Sequence, residues 1–398
     1  MCGPGRSGGG GQLAGLPQAI EQEVRACNMC GYCVPVCPAY QEIGWESATP
    51  RGKIFYLKQV ADKGPMDLLL RRHVGIGPDF GRAMYECTGC GACEEVCHVD
   101  IPLNAWLDDV KQLVVDSGVG PLPEHRGLVE CVKKTRNVYG RPQEDRLAWA
   151  GEQLRPSESP EVVLWFGCVA SYEHQRVAKA TLKILNAANV RYRVLGKEEW
   201  CTGSPLIRVG EGRFVQKELM PHNIQAVAGS GAKILVTACG ECYRAFLVDY
   251  KRFGGNPPFQ VLHIAHYVDR LIREKRLKFT KPVKRKLAFH DACHLARNAG
   301  AYDAPRAALR FAPGVEILEM YYNRSETRCC GEDLGFRAAF PHQAQALAAR
   351  RLQEAKETGA EAIVTADAHT EVHLNAVAQK LGRGMPTLDI VEILADAL

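Results

Sequence analysis

From Glu161 onward, short continuous apolar runs alternate with stretches whose apolar residues recur at helical spacing. Such runs, bounded by turn residues, read as buried strands, and their alternation with amphipathic helices predicts an α/β architecture. Val162 to Phe166 is expected as a strand, Val177 to Ala187 as a helix, Val190 to Leu195 as a strand, Phe214 to Ala228 as a helix and Ile234 to Ala238 as a strand. Further strands are expected at Lys286 to His290 and Ala362 to Ala366. The first hundred residues carry no strand pattern. Pro17 opens a helical stretch, Gln18 to Ala26, and further helical pieces are expected at Lys53 to Lys63, Asp67 to His73 and Asp79 to Glu86. The glycine-rich residues before Pro17 cannot bury enough apolar surface to offset ordering, and a disordered lead-in is expected there.

The α/β half repeats itself. Cys201 and Cys239 are 38 positions apart, as are Cys329 and Asp367, and Ile-Leu-Val-Thr-Ala-Cys-Gly-Glu-Cys (234 to 242) lies over Ala-Ile-Val-Thr-Ala-Asp-Ala-His-Thr (362 to 370). An internal duplication accounts for both agreements. Each copy sets its thiols at the carboxyl ends of strands, where open α/β sheets hold ligands. Copy one has Cys168, Cys201, Cys239 and Cys242, with Thr202 after Cys201. Copy two has Cys293, Cys329 and Cys330, with Asp367 and Thr370 in place of the Cys-x-x-Cys pair. Four thiolates suffice for one [4Fe-4S] cluster, whereas a hard carboxylate and a neutral hydroxyl suit it poorly, so iron is expected in copy one and not in copy two.

Hydrophobic and charged fractions of 46% and 24% are those of an ordinary soluble protein, but 17 cysteines in 398 residues are not. No signal-peptide pattern opens the chain, so reduced thiols and a cytoplasmic location are expected, with contact to a membrane only through a partner. No apolar run reaches the roughly 20 residues of a membrane span. A net charge of +5 without aromatic and basic interleaving excludes nucleic acid as a partner.

Eight cysteines form two ladders of the bacterial ferredoxin spacing: Cys27, Cys30, Cys33 and Cys37, then Cys87, Cys90, Cys93 and Cys97. In this spacing three thiolates grip one cubane and the fourth reaches a second, so Cys27, Cys30, Cys33 and Cys97 are assigned to one cluster and Cys87, Cys90, Cys93 and Cys37 to the other. Structural zinc sites use paired hooks with no third cysteine at the same step. Thr49-Pro50-Arg51-Gly52 reads either as a lid whose N–H groups face sulfur or as a turn before a helix. Cys131 stands alone and reads as a packing residue. His290 and His294 flank Cys293 and, with Cys293, Cys329 and Cys330, are the candidates for proton or thiol chemistry. His263 and His266 are placed in a helix between the copies, and the basic run from Arg270 to Lys286 on a solvated face.

Gly167-Cys168, Trp200-Cys201-Thr202-Gly203, Cys239-Gly-Glu-Cys242, His290-Asp-Ala-Cys293-His294-Leu-Ala-Arg297 and Cys329-Cys330-Gly331 resemble the cysteine-rich CCG domains of heterodisulfide reductase. A ferredoxin module ahead of two such domains is similar to the D subunit of that enzyme and to glycolate oxidase iron-sulfur subunits, over roughly residues 18 to 398. The resemblance implies an α+β multidomain protein: lead-in 1–16, α-helical ferredoxin 17–116, linker 117–160, first CCG domain 161–262, connector 263–285 and degenerate second CCG domain 286–398. In the family a complete CCG motif has five cysteines and can hold a non-cubane cluster; Thr202 favours an ordinary cubane in copy one. The expected function is electron transfer from two ferredoxin cubanes to an iron-sulfur site in copy one. The alternatives are the iron-sulfur subunit of a flavin-dependent 2-hydroxyacid oxidoreductase, and a thiol-based sensor or scaffold. With no nucleotide-binding fingerprint, electrons are expected from a flavoprotein, a hydrogenase or dehydrogenase, or a membrane cytochrome subunit.

Overall fold

The computed structural model describes residues 16–62, 76–382 and 384–398. The expected lead-in and the helix expected at Asp67 to His73 lie outside the described residues, except for Leu16 at the lead-in's end.

The amino-terminal domain is helical. Gln18–Ala26, Pro50–Ala61, Pro78–Tyr85 and Leu103–Asp116 pack around Ile20, Val24, Ile54, Leu57, Met84, Trp106, Leu107 and Val110, all nearly inaccessible to water. Burying each such side chain contributes about 1.5–3 kcal/mol. Proline opens two of these helices at a position where its missing N–H is not needed, Pro50 and Pro78.

The α/β half contains two four-stranded parallel sheets of one topology. β1 (Val162–Trp165), β2 (Tyr192–Val194), β3 (Ile234–Thr237) and β4 (Gln260–His263) lie in the order β2-β1-β3-β4. β5 (Arg285–Phe289), β6 (Val315–Glu319), β7 (Ala362–Thr365) and β8 (Thr387–Asp389) lie in the order β6-β5-β7-β8. The registers match too: Val162 to Trp165 pair with Ile234 to Thr237, and Leu287 to Phe289 with Ala362 to Val364. The central strands are buried on both faces, as parallel strands covered by helices must be.

Two expectations need correction. His263 does not lie within a helix: it ends β4, and its Nδ1 accepts from the Ala265 N–H to cap the helix Ile264–Arg273. That helix belongs to the first sheet's layer and not to a free connector. The edge strands β4, β6 and β8 escaped the periodicity argument because they are short and only partly apolar, and edge pairing supplies what their side chains do not.

Residues 117–160 form a clamp. The helix Arg126–Thr135 leads into a loop whose Arg136 carbonyl accepts from Cys201 N–H at 2.7 Å, and Arg146 is wholly buried against copy one. Arg208 of copy one bonds Asp249 at 2.8 Å and also Asp108 of the helical domain, a buried network that ties the two regions together.

Candidate iron-sulfur sites

The two ladders share a backbone device. Met29 and Gly31 in the first, and Gly89 and Gly91 in the second, take left-handed φ values of 57°, 86°, 62° and 76°. This winding turns N–H groups toward sulfur: Met29 N–H donates to Cys27 Sγ and Gly89 N–H to Cys87 Sγ, each at 3.4 Å. Gly203 to Cys201 and Gly331 to Cys329, each at 3.3 Å, repeat the contact in the α/β copies. N–H donors of this kind stabilise thiolate ligands.

Cys37 stands within electrostatic reach of Cys87 and Cys90, and Cys93 within reach of Cys90, Cys87 and Cys37, the neighbourhood that the crossed assignment requires for one cluster. Cys33 is likewise close to Cys27 and Cys30. Burial pushes the Cys37 thiol up to about 12, with Lys53 opposing. Lys53 is fully buried, donates to Ser47 O at 3.1 Å, Glu86 O at 3.0 Å and Ala48 O, and its charge lies near Cys87 and Cys37. Nothing in the periodicity marks it, because a helix lysine is normally solvated. Both readings of the 49–52 turn hold at once. Thr49 caps its helix by accepting from Gly52 N–H at 3.1 Å, and the Arg51 N–H bonds the Cys33 sulfur.

In copy one, Cys168, Cys201, Cys239 and Cys242 are all buried and converge. Cys168 bonds Cys201, and Cys239 pairs with Cys242. A hydrogen bond from Cys201, with help from the Arg146 guanidinium 3.7 Å away, holds Cys168 well below the ordinary thiol range, although burial works against this. Arg146 is oriented by Glu199 at 2.7 Å, and Glu199 also accepts from Gly167 N–H at 2.8 Å. Gly167 has φ 77°, and a Cβ there would stand 3.1 Å from Cys242 Sγ and 3.4 Å from Cys239 Cβ, so only glycine lets the strand end approach the thiols. Thr202 turns its hydroxyl toward Cys242 Sγ at 4.0 Å. Four soft donors without a hard ligand among them fit an iron-sulfur cluster.

Copy two is built differently. Cys293 and Cys329 come together and are joined by Cys90 of the second ladder, which bonds Cys329. Cys330 turns away to Glu332 Oε2 at 2.9 Å and packs in a separate apolar cluster. Asp367 caps the helix Ala368–Lys380, accepting from Thr370 N–H at 3.0 Å and Thr370 Oγ1 at 3.2 Å, while its other oxygen accepts from Gly240 N–H of copy one at 2.8 Å. Both oxygens of Asp367 are thus committed to hydrogen bonds. Cys131 packs against Gly140.

The surroundings of both histidine candidates disfavour a charge on the ring. His290 accepts from Arg351 Nε at 2.8 Å, and burial beside Arg351 and Arg297 drives it well below its usual pKa. Burial and Arg244, which is 2.9 Å from its Nδ1, do the same to His294. Sequence reasoning missed His369, which reaches from copy two into the wall of the copy-one thiol pocket, 3.8 Å from Glu241. The duplication itself was the signal, since two like sheets facing each other bring equivalent strand ends together.

The fold and its thiols define a two-cluster ferredoxin joined to a duplicated cysteine-rich unit. Residues 23–101 match the 4Fe-4S dicluster domain, and residues 162–246 and 287–375 match the cysteine-rich domain. The chain is 34% identical over 385 residues to the D subunit of the dihydromethanophenazine:CoB–CoM heterodisulfide reductase of Methanosarcina barkeri, covering 94% of each chain. It is 27% identical to the B subunit of the CoM/CoB fumarate reductase of Methanothermobacter marburgensis, covering 94% of this chain and 72% of that one. A hypothetical protein from Helicobacter pylori shares the fold at a TM-score of 0.50 and 10% identity, over 96% of this chain and 73% of that structure. The chain belongs to the family of heterodisulfide reductase D subunits, and it is an iron-sulfur protein. No helix among the described residues is long and apolar enough to cross a membrane.

Proposed function

We propose that the protein is an electron-transfer subunit, carrying electrons from two ferredoxin cubanes to a third cluster held by Cys168, Cys201, Cys239 and Cys242. When bound, such clusters supply one-electron carriers. One observation carries the reading: the second ladder's loop is gripped by both α/β copies. Arg244, two residues beyond Cys242, donates to Gly89 O at 3.5 Å; Asn298 donates to the same carbonyl at 2.9 Å and Arg297 to Cys90 O at 2.7 Å. These contacts fix the ladder against the thiol-bearing strand ends. The donor is another redox subunit, a flavoprotein, a dehydrogenase or a membrane cytochrome. Anaerobically loaded protein is expected to hold about 12 iron atoms, four per cluster. A count near eight overturns the third cluster.

A second reading, reduction of a small disulfide by the chain itself, draws on a cavity of about 450 Å³ between the helical domain and copy two. Cys90 and Cys329 lie on its wall with four arginines (Arg297, Arg328, Arg350 and Arg351) against two glutamates (Glu95 and Glu326), a size and net positive lining suited to a small anionic substrate. Adding disulfides to the dithionite-reduced chain separates the readings. Electron transfer alone predicts no thiol release, whereas release that depends on Cys329 supports an enzyme.

A further inference from the structure

Apart from the thiol clusters, at the seam between the two α/β copies, a polar cluster is drawn from three helices. His174 immediately precedes the helix Gln175–Ala187 of copy one; Glu371 lies in Ala368–Lys380, and Glu392 in the closing helix Ile390–Asp396, both of copy two. The ligand atoms of His174, Glu371 and Glu392 all lie within 4.8 Å of one another. His174 Nε2 is 2.8 Å from Glu371 Oε1. The pair is nevertheless no hydrogen bond, and His174 Nε2 is a buried atom with no hydrogen-bond partner. Glu371 is wholly buried, and its Oε2 also lacks a partner. So does Oδ2 of the fully buried Asp389, whose carboxylate is within electrostatic reach of Glu371 and Glu392. Buried polar atoms are almost always satisfied. The orphaned atoms of His174 and Glu371, one from each copy, meet at one place and point to a missing partner that accepts lone pairs.

Arg176 lies 2.9 Å from Glu392 and 3.3 Å from Glu371 with a side chain 61% exposed, so the cation these two carboxylates share stands at the solvent edge of the cluster. We propose that His174, Glu371 and Glu392 bind one divalent cation of the zinc class, bridging the two copies. An imidazole with two carboxylates suits Zn²⁺ better than the all-oxygen sites of Mg²⁺ or Ca²⁺. Three protein ligands leave a position for water on the side where His174 and Glu392 reach solvent. The ion reinforces a seam where Lys183 already donates to Ala395 O at 2.6 Å.

The test uses the full chain with its iron-sulfur clusters in place, desalted anaerobically and titrated with Zn²⁺, with zinc and iron counted together. One zinc per chain is expected at micromolar free metal. H174Q and E371Q should each weaken its binding at least tenfold without changing iron. R176Q, a change at an exposed side chain that leaves the fold intact, removes the competing cation and should tighten zinc several-fold. Zinc bound equally by H174Q and the unaltered chain is zinc at thiols and overturns the proposal. So does an R176Q variant whose melting temperature falls and is not restored by zinc, since Arg176 is then itself the cation of the cluster.

Discussion

The two α/β copies place different residues at the same point of the same fold. After β3, Cys239 begins its helix with its sulfur accepting from Cys242 N–H at 3.2 Å; after β7, Asp367 begins its helix by accepting from Thr370 N–H at 3.0 Å. A thiol cap is weak and leaves the sulfur available to a metal. A carboxylate cap is strong and neutralises the helix end. The copy without the Cys-x-x-Cys pair therefore has the firmer helix start, and by accepting also from Gly240 N–H its Asp367 braces the loop that carries copy one's Cys239 and Cys242.

The largest effect that would break this comparison is in iron content. Replacing Cys168, Cys239 and Cys242 together by serine should remove about four irons of about 12, by the cubane rule. The same change at Cys293, Cys329 and Cys330 should leave iron unchanged. Loss from the copy-two variant would mean that Cys90, through its contact with Cys329, shares a cluster across the domains.

Next comes the attachment of the helical domain. Arg208 holds it to copy one through Asp108 and Asp249, all three buried. Arg208→Ala removes the nearest cation from two buried carboxylates, leaving Asp249 with Arg244 at 3.8 Å and Asp108 with Arg252 at 3.7 Å, and should cost up to about 3 kcal/mol, seen as earlier release of the ferredoxin domain in denaturant. Arg297 ties Cys90 to copy two through hydrogen bonds to backbone carbonyls and pairs with no carboxylate, so R297A should cost less.

The fourth strands extend the contrast to pH. His263 after β4 and Asp389 after β8 occupy one capping position, with Asp389 accepting from Val391 N–H at 2.9 Å. Burial, with His266 adding to it, lowers His263 to about 3. A histidine depressed on folding contributes stability that is complete above its unfolded value of about 6.5 and is lost as pH falls toward 3. At pH 5 the loss should be about 2 kcal/mol. His263→Asn, which caps without titrating, should make the fall of the melting temperature between pH 6.5 and 5 shallower, with the buried His290 and His294 keeping the remainder, and an unchanged slope would exclude His263 as a source.

Much of this was legible in the chain. The ladders, the duplication and the central strands follow from spacing and apolar runs alone, because ligand geometry and two-faced burial leave few alternatives. What escaped is what depends on contacts between distant segments. Arg146 reaches Cys168 from a stretch that reads as linker, Lys53 sits beneath a ladder inside an ordinary helical pattern, and Cys90 meets Cys329 across 239 positions. Cys330 also misled: adjacency to Cys329 in sequence put it in the same site, yet successive side chains point apart, and it faces Glu332.

The smallest effect sharpens the comparison most. Asp367→Cys gives copy two the first residue of copy one's pair while Thr370 stays in place of the second. The thiol is a poorer cap than the carboxylate it replaces, so stability should fall by about 1 kcal/mol, read as a lower melting temperature of the iron-loaded chain. Some of that fall comes from Gly240 N–H, which loses its acceptor in copy two and loosens the loop between Cys239 and Cys242. Iron should nevertheless stay near its original count, because Cys330 points to Glu332 and copy two then has no more than Cys293 and Cys329 to set beside the new thiol. A gain of about four irons from this single change would show that copy two is one ligand short of a cluster and not, as its capped helix and turned-away Cys330 indicate, rebuilt as a support.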